Sequence, residues 1–191
     1  MDNLNKKNGS LFLKAFLKNP LRTGSVVQSS SFLSKRMIES VNFGDVKCIV
    51  ELGCGGGTMT KSILERMPKN SKLICFEINR QLAKHTRNRI KDSRLVVIND
   101  SAEKIGQYLQ EHGFTSADYI ISSLPLVSLP KVTSQNILRH AYGYLQSGGQ
   151  YIQFQYSLTS LKGLRKIFSV VSISFVFLNF PPAFVYVCTK I

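Results

Sequence analysis

Acidic residues are absent from the whole C-terminal part of this sequence: from Tyr119 to Ile191 there is no Asp or Glu. The same stretch carries Lys131, Arg139, Lys162, Arg165, Lys166 and Lys190, and the full chain has a formal net charge of +14. A positive surface without compensating acids disfavours a cationic partner and favours an anionic one, either nucleic acid or an acidic lipid surface. Long apolar runs are also missing. No stretch reaches the roughly 18 residues needed to cross a bilayer. The N-terminus lacks the basic start, unbroken apolar segment and small-residue cleavage site of a signal peptide. The four cysteines, Cys48, Cys54, Cys75 and Cys188, show no C-x-x-C spacing and have no His close by. They read as reduced thiols of a cytoplasmic protein rather than as disulfides or metal ligands, and no metal site is expected. No internal repeat and no low-complexity linker divides the chain.

What is present is a globular composition. The 191 residues are 43% hydrophobic, enough for one domain with its own core. Residues 10–18 place Lys14 and Lys18 on one stripe of a helix and Phe12, Leu13, Phe16 and Leu17 on another. Asn19-Pro20 ends that helix, because a residue before proline avoids the helical region. A second helix is expected from an N-cap at Ser29 or Ser30 to about Val41. From there strand and helix patterns alternate. Strands are expected at 46–52, 71–77, 94–100, 117–123 and 150–157, and helices at 58–67, 79–90, 102–111 and 132–145. In the first of these helices Met59, Ile63, Leu64 and Met67 fall on one face. A short basic helix at 161–168 precedes two strands, 170–177 and 183–190, joined by a turn containing Pro181-Pro182. Strands joined so tightly pair antiparallel. The expected fold is α/β: a mostly parallel sheet with one antiparallel strand, helices on both faces, and an N-terminal helical extension over 1–42 on a core of 43–191.

The first strand runs into Glu51-Leu52-Gly53-Cys54-Gly55-Gly56-Gly57-Thr58. Glycines let a backbone turn sharply and approach a ligand closely, and ligands of open α/β sheets bind at the carboxyl ends of the strands. Alone, the loop also suits a dinucleotide, a phosphate or a plain tight turn. Glu77 ends the second strand, where a carboxylate accepts hydrogen bonds from ribose hydroxyls. Asp100 ends the third, where one can accept from the exocyclic amino group of adenine. Each acid alone also reads as a solvated loop charge; together with the loop they stand at three successive strand ends.

This constellation resembles the class I S-adenosylmethionine-dependent methyltransferases, whose first motif is E/D-x-G-x-G-x-G. Glu51, Gly53, Gly55 and Gly57 match it in order. The resemblance implies a seven-stranded Rossmann-like sheet with a C-terminal antiparallel hairpin, and S-adenosylmethionine as cofactor. It implies cofactor contacts from Glu51, Gly53, Cys54, Gly55, Gly57 and Thr58, with Glu77 on the ribose flanked by Ile78 and Asn79. Asp100, Ser101 and Ala102 would border the adenine, and Ser122 would complete the site from the fourth strand end. The dinucleotide fingerprint G-x-G-x-x-G fits less well, since Thr58 stands in place of its third glycine.

Four further stretches resemble the bacterial phospholipid N-methyltransferases. They are Asn19-Pro20 with Gly24 and Ser29-Ser30, the loop 123–130 (SLPLVSLP), 153–157 (QFQYS), and 179–183 (NFPPA). The chain departs from that family at Gln28, where proline is usual, and at Ser123, where glycine is common. The resemblance implies methylation of a headgroup amine, most directly that of phosphatidylethanolamine, by a protein held peripherally on the inner face of the cytoplasmic membrane. On this reading Tyr156 covers or hydrogen-bonds the headgroup, although a packed core tyrosine is the plain alternative. The Ser123 and Leu124 carbonyls would hold its ammonium. His85, His112 and His140 all fall on expected helices and are not expected to act as bases. The anionic membrane is the expected partner, reached through the apolar stripe of residues 10–18, which reads equally as a lid packed over the cofactor; no stable nucleic-acid partner is expected. A second reading follows from Gln28 with Phe32-Leu33, which is similar to ribosomal RNA adenine dimethylases. That family usually places an aromatic where Leu126 stands here, and an extruded base needs such a stacking partner. A third is a basic binding module without activity, against which intact Glu51, Glu77 and Asp100 argue.

Overall fold

A computed structural model describes residues 31–179 and 181–191. The amphipathic stretch 10–18, Asn19-Pro20, Gly24, Gln28, the expected N-cap at Ser29 or Ser30, and Phe180 lie outside the described residues.

The described chain begins with α1 (Ser31–Ile38) and then alternates: β1 (Cys48–Leu52), α2 (Thr58–Leu64), β2 (Lys72–Phe76), α3 (Arg80–Arg89), β3 (Leu95–Ile98), α4 (Ile105–Glu111), β4 (Ala117–Ser122), α5 (Lys131–Tyr144) and β5 (Leu145–Gln155). A short α6 (Leu161–Arg165) leads to the hairpin of β6 (Val170–Val176) and β7 (Ala183–Thr189). The sheet order is β3-β2-β1-β4-β5-β7-β6. Strands β1 to β5 pair in parallel, and β7 lies antiparallel between β5 and β6. This is the seven-stranded Rossmann-like arrangement expected, with β7 as the single antiparallel strand.

Alternating side chains send two apolar layers off the sheet. On one face Leu33 and Met37 of α1, and Met59, Ile63 and Leu64 of α2, pack with Ala83 of α3 against Ile49, Leu73 and Ile121. On the other, Ile105 and Leu109 of α4, Ile137, Leu138 and Ala141 of α5, and Leu164 of α6 pack against Val50, Ile74, Ile120 and Tyr186. The four residues expected on one face of α2, Met59, Ile63, Leu64 and Met67, are all buried.

Element ends differ where long-range contacts outweigh local pattern. Helix α1 stops at Ile38, three residues before Val41. Helix α2 stops at Leu64, where the Arg94 guanidinium donates to the Leu64, Met67 and Pro68 carbonyls left over at its end. Strand β5 begins at Leu145 rather than 150, because Gly148 and Gly149 exchange backbone hydrogen bonds with Lys190. The helix expected from 102 opens with a 3-10 turn over Ala102–Lys104 before α4.

The topology has one consequence for the site. In register, Gln155 faces Phe184 and Val176 faces Ala183. The β6–β7 turn therefore sits at the same end of the sheet as the carboxyl ends of β1 to β5.

Candidate active site

At the end of β1 the backbone doubles back in a glycine loop. Gly53, Gly55 and Gly57 all have positive φ, at 81°, 51° and 81°. That conformation is costly for residues with a Cβ. Gly53 is needed for closeness as well: a Cβ there would stand 2.9 Å from Leu124 Cδ2. Around Gly55 and Gly56, by contrast, nothing lies within 4 Å of where a Cβ would stand. The loop thus presents bare backbone to open space. It is held from behind. The Gly53 and Cys54 N–H groups donate to the Phe76 carbonyl at 2.8 and 3.3 Å, and the buried Thr86 hydroxyl of α3 donates to the Gly55 carbonyl at 2.8 Å.

Two carboxylates frame this loop. Glu77 follows β2; its Oε2 accepts from the Gly55 N–H and its Oε1 from the Asn79 N–H, both at 2.9 Å. Burial pushes its pKa up, and the Asn79, Gly55 and Ile78 backbone donors oppose that shift. A carboxylate has about four acceptor sites, so Glu77 keeps capacity for further donors. Glu51 is fully buried on β1, with Oε2 accepting from the Thr60 hydroxyl at 2.7 Å and the Cys75 thiol at 3.0 Å. Its Oε1 has no partner, and burial raises its pKa to about 7.

The other expected cofactor residues gather around this centre. Asn79 caps α3, its Oδ1 accepting from the Gln81 and Leu82 N–H groups. Ile78 beside it is 70% exposed, an apolar surface at the mouth of the cleft. Asn99 bridges the strand ends, donating to the Glu77 and Ile78 carbonyls. Asp100 is less free than its position suggested. Its carboxylate accepts from the Ser101 N–H, the Lys104 ammonium and the Tyr108 hydroxyl at 2.7, 2.8 and 3.0 Å. The Lys104 ammonium, foremost, holds its pKa below the ordinary aspartate value. Ser101 caps the 3-10 turn in which Ala102 is buried. Cys54 is buried in the loop, and Thr58 opens α2. Ser122 is fully buried and accepts from the Leu124 N–H at 3.3 Å.

On the acceptor side, the loop after β4 is tied down from both flanks. The Ser123 N–H donates to the Leu52 carbonyl at 2.9 Å. The Leu124 carbonyl accepts from Gln153 Nε2 at 3.0 Å and from Gln155 Nε2 at 3.3 Å. Gln153 is itself fixed, because the buried Tyr151 hydroxyl donates to its Oε1. One expectation is corrected here. The Leu124 carbonyl has both lone pairs engaged and has no capacity left for an ammonium. Leu126, at the place where the RNA adenine dimethylases carry a stacking aromatic, is buried in the core with Ile137 and Leu138. Tyr156, just past β5, is 42% exposed and packs edge-on against Phe154, which excludes the reading of a packed core tyrosine; burial raises its pKa, and the Asn179 side chain opposes that rise. His85, His112 and His140 are exposed on or at the ends of α3, α4 and α5.

Gln153 and Gln155 are the residues that sequence reasoning left out of the site. Their signal was there: two amides two apart, hence on one face, within the stretch 153–157 already singled out for its resemblance, at the buried end of β5.

Residues 50–151, from β1 into β5, match the family model described as a methyltransferase domain. The chain belongs to the methyltransferase family. Its likeness to individual proteins extends further than the matched segment. This methyltransferase is 29% identical over 184 residues to the ornithine lipid N-methyltransferase of Singulisphaera acidiphila, covering 95% of this chain and 96% of that one. It is 29% identical over 100 residues to the ribosomal RNA small subunit methyltransferase A of Mesomycoplasma hyopneumoniae, covering 52% of this chain and 35% of that one. Among solved structures, it superposes on the N-methyltransferase NodS of Bradyrhizobium japonicum, in complex with S-adenosyl-L-homocysteine, with a TM-score of 0.67 at 13% identity, covering 96% and 98% of the two chains.

The enzyme is thus a class I methyltransferase with S-adenosylmethionine as methyl donor. The cleft fits that molecule on its own chemistry. Bare glycine backbone leaves room for a ligand, Glu77 has acceptor capacity for a diol, Ile78 offers an apolar wall for a ring, and the unpartnered Glu51 Oε1 is a buried acceptor in a region that a cation suits. When bound, S-adenosylmethionine supplies an electrophilic methyl group on a sulfonium centre. The protein's own part is positional: Gln153, Gln155 and Leu52 fix the acceptor loop against the glycine loop, so that two reactants meet in a set geometry.

Proposed function

We propose that this methyltransferase methylates the amine of a phospholipid headgroup at the inner face of the cytoplasmic membrane, with phosphatidylethanolamine as the expected acceptor. The observation that carries the reading is the end-to-end similarity to a relative named for lipid N-methylation, against a ribosomal RNA relative matched over only 35% of its length. Ornithine lipid, the acceptor in that relative's name, shares the relevant chemistry with phosphatidylethanolamine: a primary amine tethered to acyl chains.

On this reading Glu77 holds the ribose, flanked by Ile78 and Asn79. Asp100 uses its remaining acceptor site at the adenine, bordered by Ser101 and Ala102. Glu51, Gly53, Cys54, Gly55, Gly57, Thr58 and Ser122 shape the methionine side. Tyr156, 42% exposed just past β5, covers the headgroup. The anionic membrane attracts the positive chain, and no helix among the described residues is long and apolar enough to cross it.

The test is to incubate the protein with methyl-labelled S-adenosylmethionine and, in parallel, vesicles containing phosphatidylethanolamine, vesicles containing ornithine lipid, and ribosomal RNA. Label in phosphatidylethanolamine supports the full proposal. Label only in ornithine lipid corrects the acceptor and keeps the reaction. Label only in RNA rejects the proposal.

A further inference from the structure

The carboxyl-end rim of the sheet changes character between β1–β3 and the C-terminal hairpin. At the β6–β7 turn Phe177 is 75% exposed, Leu178 66% and Phe175 55%. Phe175 packs against Phe184 across the hairpin, with ring centroids 5.0 Å apart. Leu158, after β5, is also exposed. Single exposed leucines are ordinary, but a cluster of large apolar side chains on one turn is not.

Three observations say what covers it. First, the turn lies beside the candidate active site: Asn179 within it is buried, and its side chain opposes the rise that burial gives the Tyr156 pKa. Second, the chain beside it is basic: the Arg36 guanidinium of α1 donates to the Ser174 hydroxyl of β6 at 3.1 Å, Lys162, Arg165 and Lys166 are exposed on α6 and the turn that leads into β6, and the Glu39 carboxylate near them is already paired with Arg36. Third, the sheet topology aims the turn the same way as the cleft. Exposed apolar side chains on a hairpin flanked by basic residues match an anionic bilayer, where the former enter the acyl boundary and the latter meet the headgroups. A protein partner of acidic character would satisfy the cations but would leave a headgroup substrate no path to the cleft.

We infer that the β6–β7 turn, through Phe177 and Leu178, is a membrane-docking wedge that enters the bilayer beside the active-site mouth and sets the depth at which a headgroup is met. The inference rests on the proposed lipid acceptor. It assigns the contact to the C-terminal hairpin, independently of the N-terminal stretch 10–18.

The sequence contains no tryptophan, so one introduced residue reports alone. In the full chain, F177W should shift its emission to the blue and be quenched by brominated acyl chains when vesicles of phosphatidylethanolamine and phosphatidylglycerol are added. I191W serves as control, since Ile191 is exposed beyond β7 at the opposite end of the sheet. It should keep a solvent-like spectrum. The pair F177S/L178S should cut vesicle binding at least tenfold in co-sedimentation. It should leave unchanged both S-adenosylmethionine affinity and methylation of a short-chain phosphatidylethanolamine dispersed as monomers. A solvent-like F177W on vesicle-bound protein, equal quenching of I191W, or failure to bind vesicles would overturn the wedge. So would F177S/L178S losing activity on the monomeric substrate as much as on vesicles. Absence of label in any amine lipid with the wild type is a different result and strikes the proposed function itself.

Discussion

The two halves of the sheet end in opposite chemistries. Strands β1, β2 and β3 run out into Glu51, Glu77 and Asp100, a carboxylate at or beside each carboxyl end. Strands β4 and β5 end in Ser122 and Gln155, and the described residues of the β6–β7 turn add amide, proline and exposed apolar groups. Charged acceptors suit a nucleoside rich in hydroxyl and amino donors. On the other half the buried glutamines do what a carboxylate cannot: their amide N–H groups donate to the Leu124 carbonyl and so hold the loop after β4.

The sharpest way to break this division is to put an acid where the second half has an amide. Gln153→Glu places a carboxylate in a fully buried position facing the Leu124 carbonyl. An uncompensated buried charge should cost about 3–5 kcal/mol at pH 8. Part of that should return near pH 5, where the protonated side chain can donate to Leu124 again. Urea unfolding at the two pH values reads this directly, and equal losses at both would show that geometry rather than charge excludes acids there.

Glu51 gives the converse test. Its folded-state pKa is raised to about 7, above the ordinary value of 4.5, so the folded protein holds a proton that the unfolded chain releases between those values. Stability should therefore fall as pH rises from about 4.5 through 7, by about 3 kcal/mol from this group once it is ionised. Glu51→Gln should flatten that part of the profile. Added S-adenosylmethionine should stabilise the wild type at pH 8 more than it stabilises the glutamine variant. A variant with the same pH slope as the wild type would remove Glu51 from this role.

Smaller effects are expected where the cofactor half meets solvent. Glu77→Ala should weaken S-adenosylmethionine binding by about 1–3 kcal/mol, or roughly fivefold to 150-fold, in calorimetric titration of folded protein. Vesicle binding should stay as in the wild type. Loss of both together would show that the two halves are not separable. Asp100→Asn should do least. Its ion pair with Lys104 is half exposed, and such pairs contribute about 0–1 kcal/mol. With most of its acceptor sites already occupied by protein donors, the expected loss of cofactor affinity is under tenfold.

Much of this was legible in the sequence because the signals were local. The glycine loop, the two acids after β2 and β3 and the buried stripe Met59, Ile63, Leu64 and Met67 depend on spacing along one segment. What was not legible depends on register between segments. Nothing near Gln153 says that its amide meets Leu124, and nothing near Asn179 says that it meets Tyr156; both follow from how β5 lies beside β4 and β7. The alternation in 170–177 marks a strand, yet it reads the same whether a helix covers that edge or leaves Phe175 bare. The start of β5 was hidden for a related reason: Gly148 and Gly149 signal a break locally, and only pairing with Lys190 overrides it.

The close approach of Gly53 to Leu124 bears on how such an enzyme can be retuned. The donor loop and the acceptor loop are in contact through a glycine with no atom to spare, so they form one mechanical unit. A bulkier side chain at 124 would push on the cofactor loop before it changed the space for an acceptor. Substitution at Leu124 is therefore felt in the cofactor loop, whereas Val127, three residues further along the same loop, is 49% exposed and leaves that contact alone.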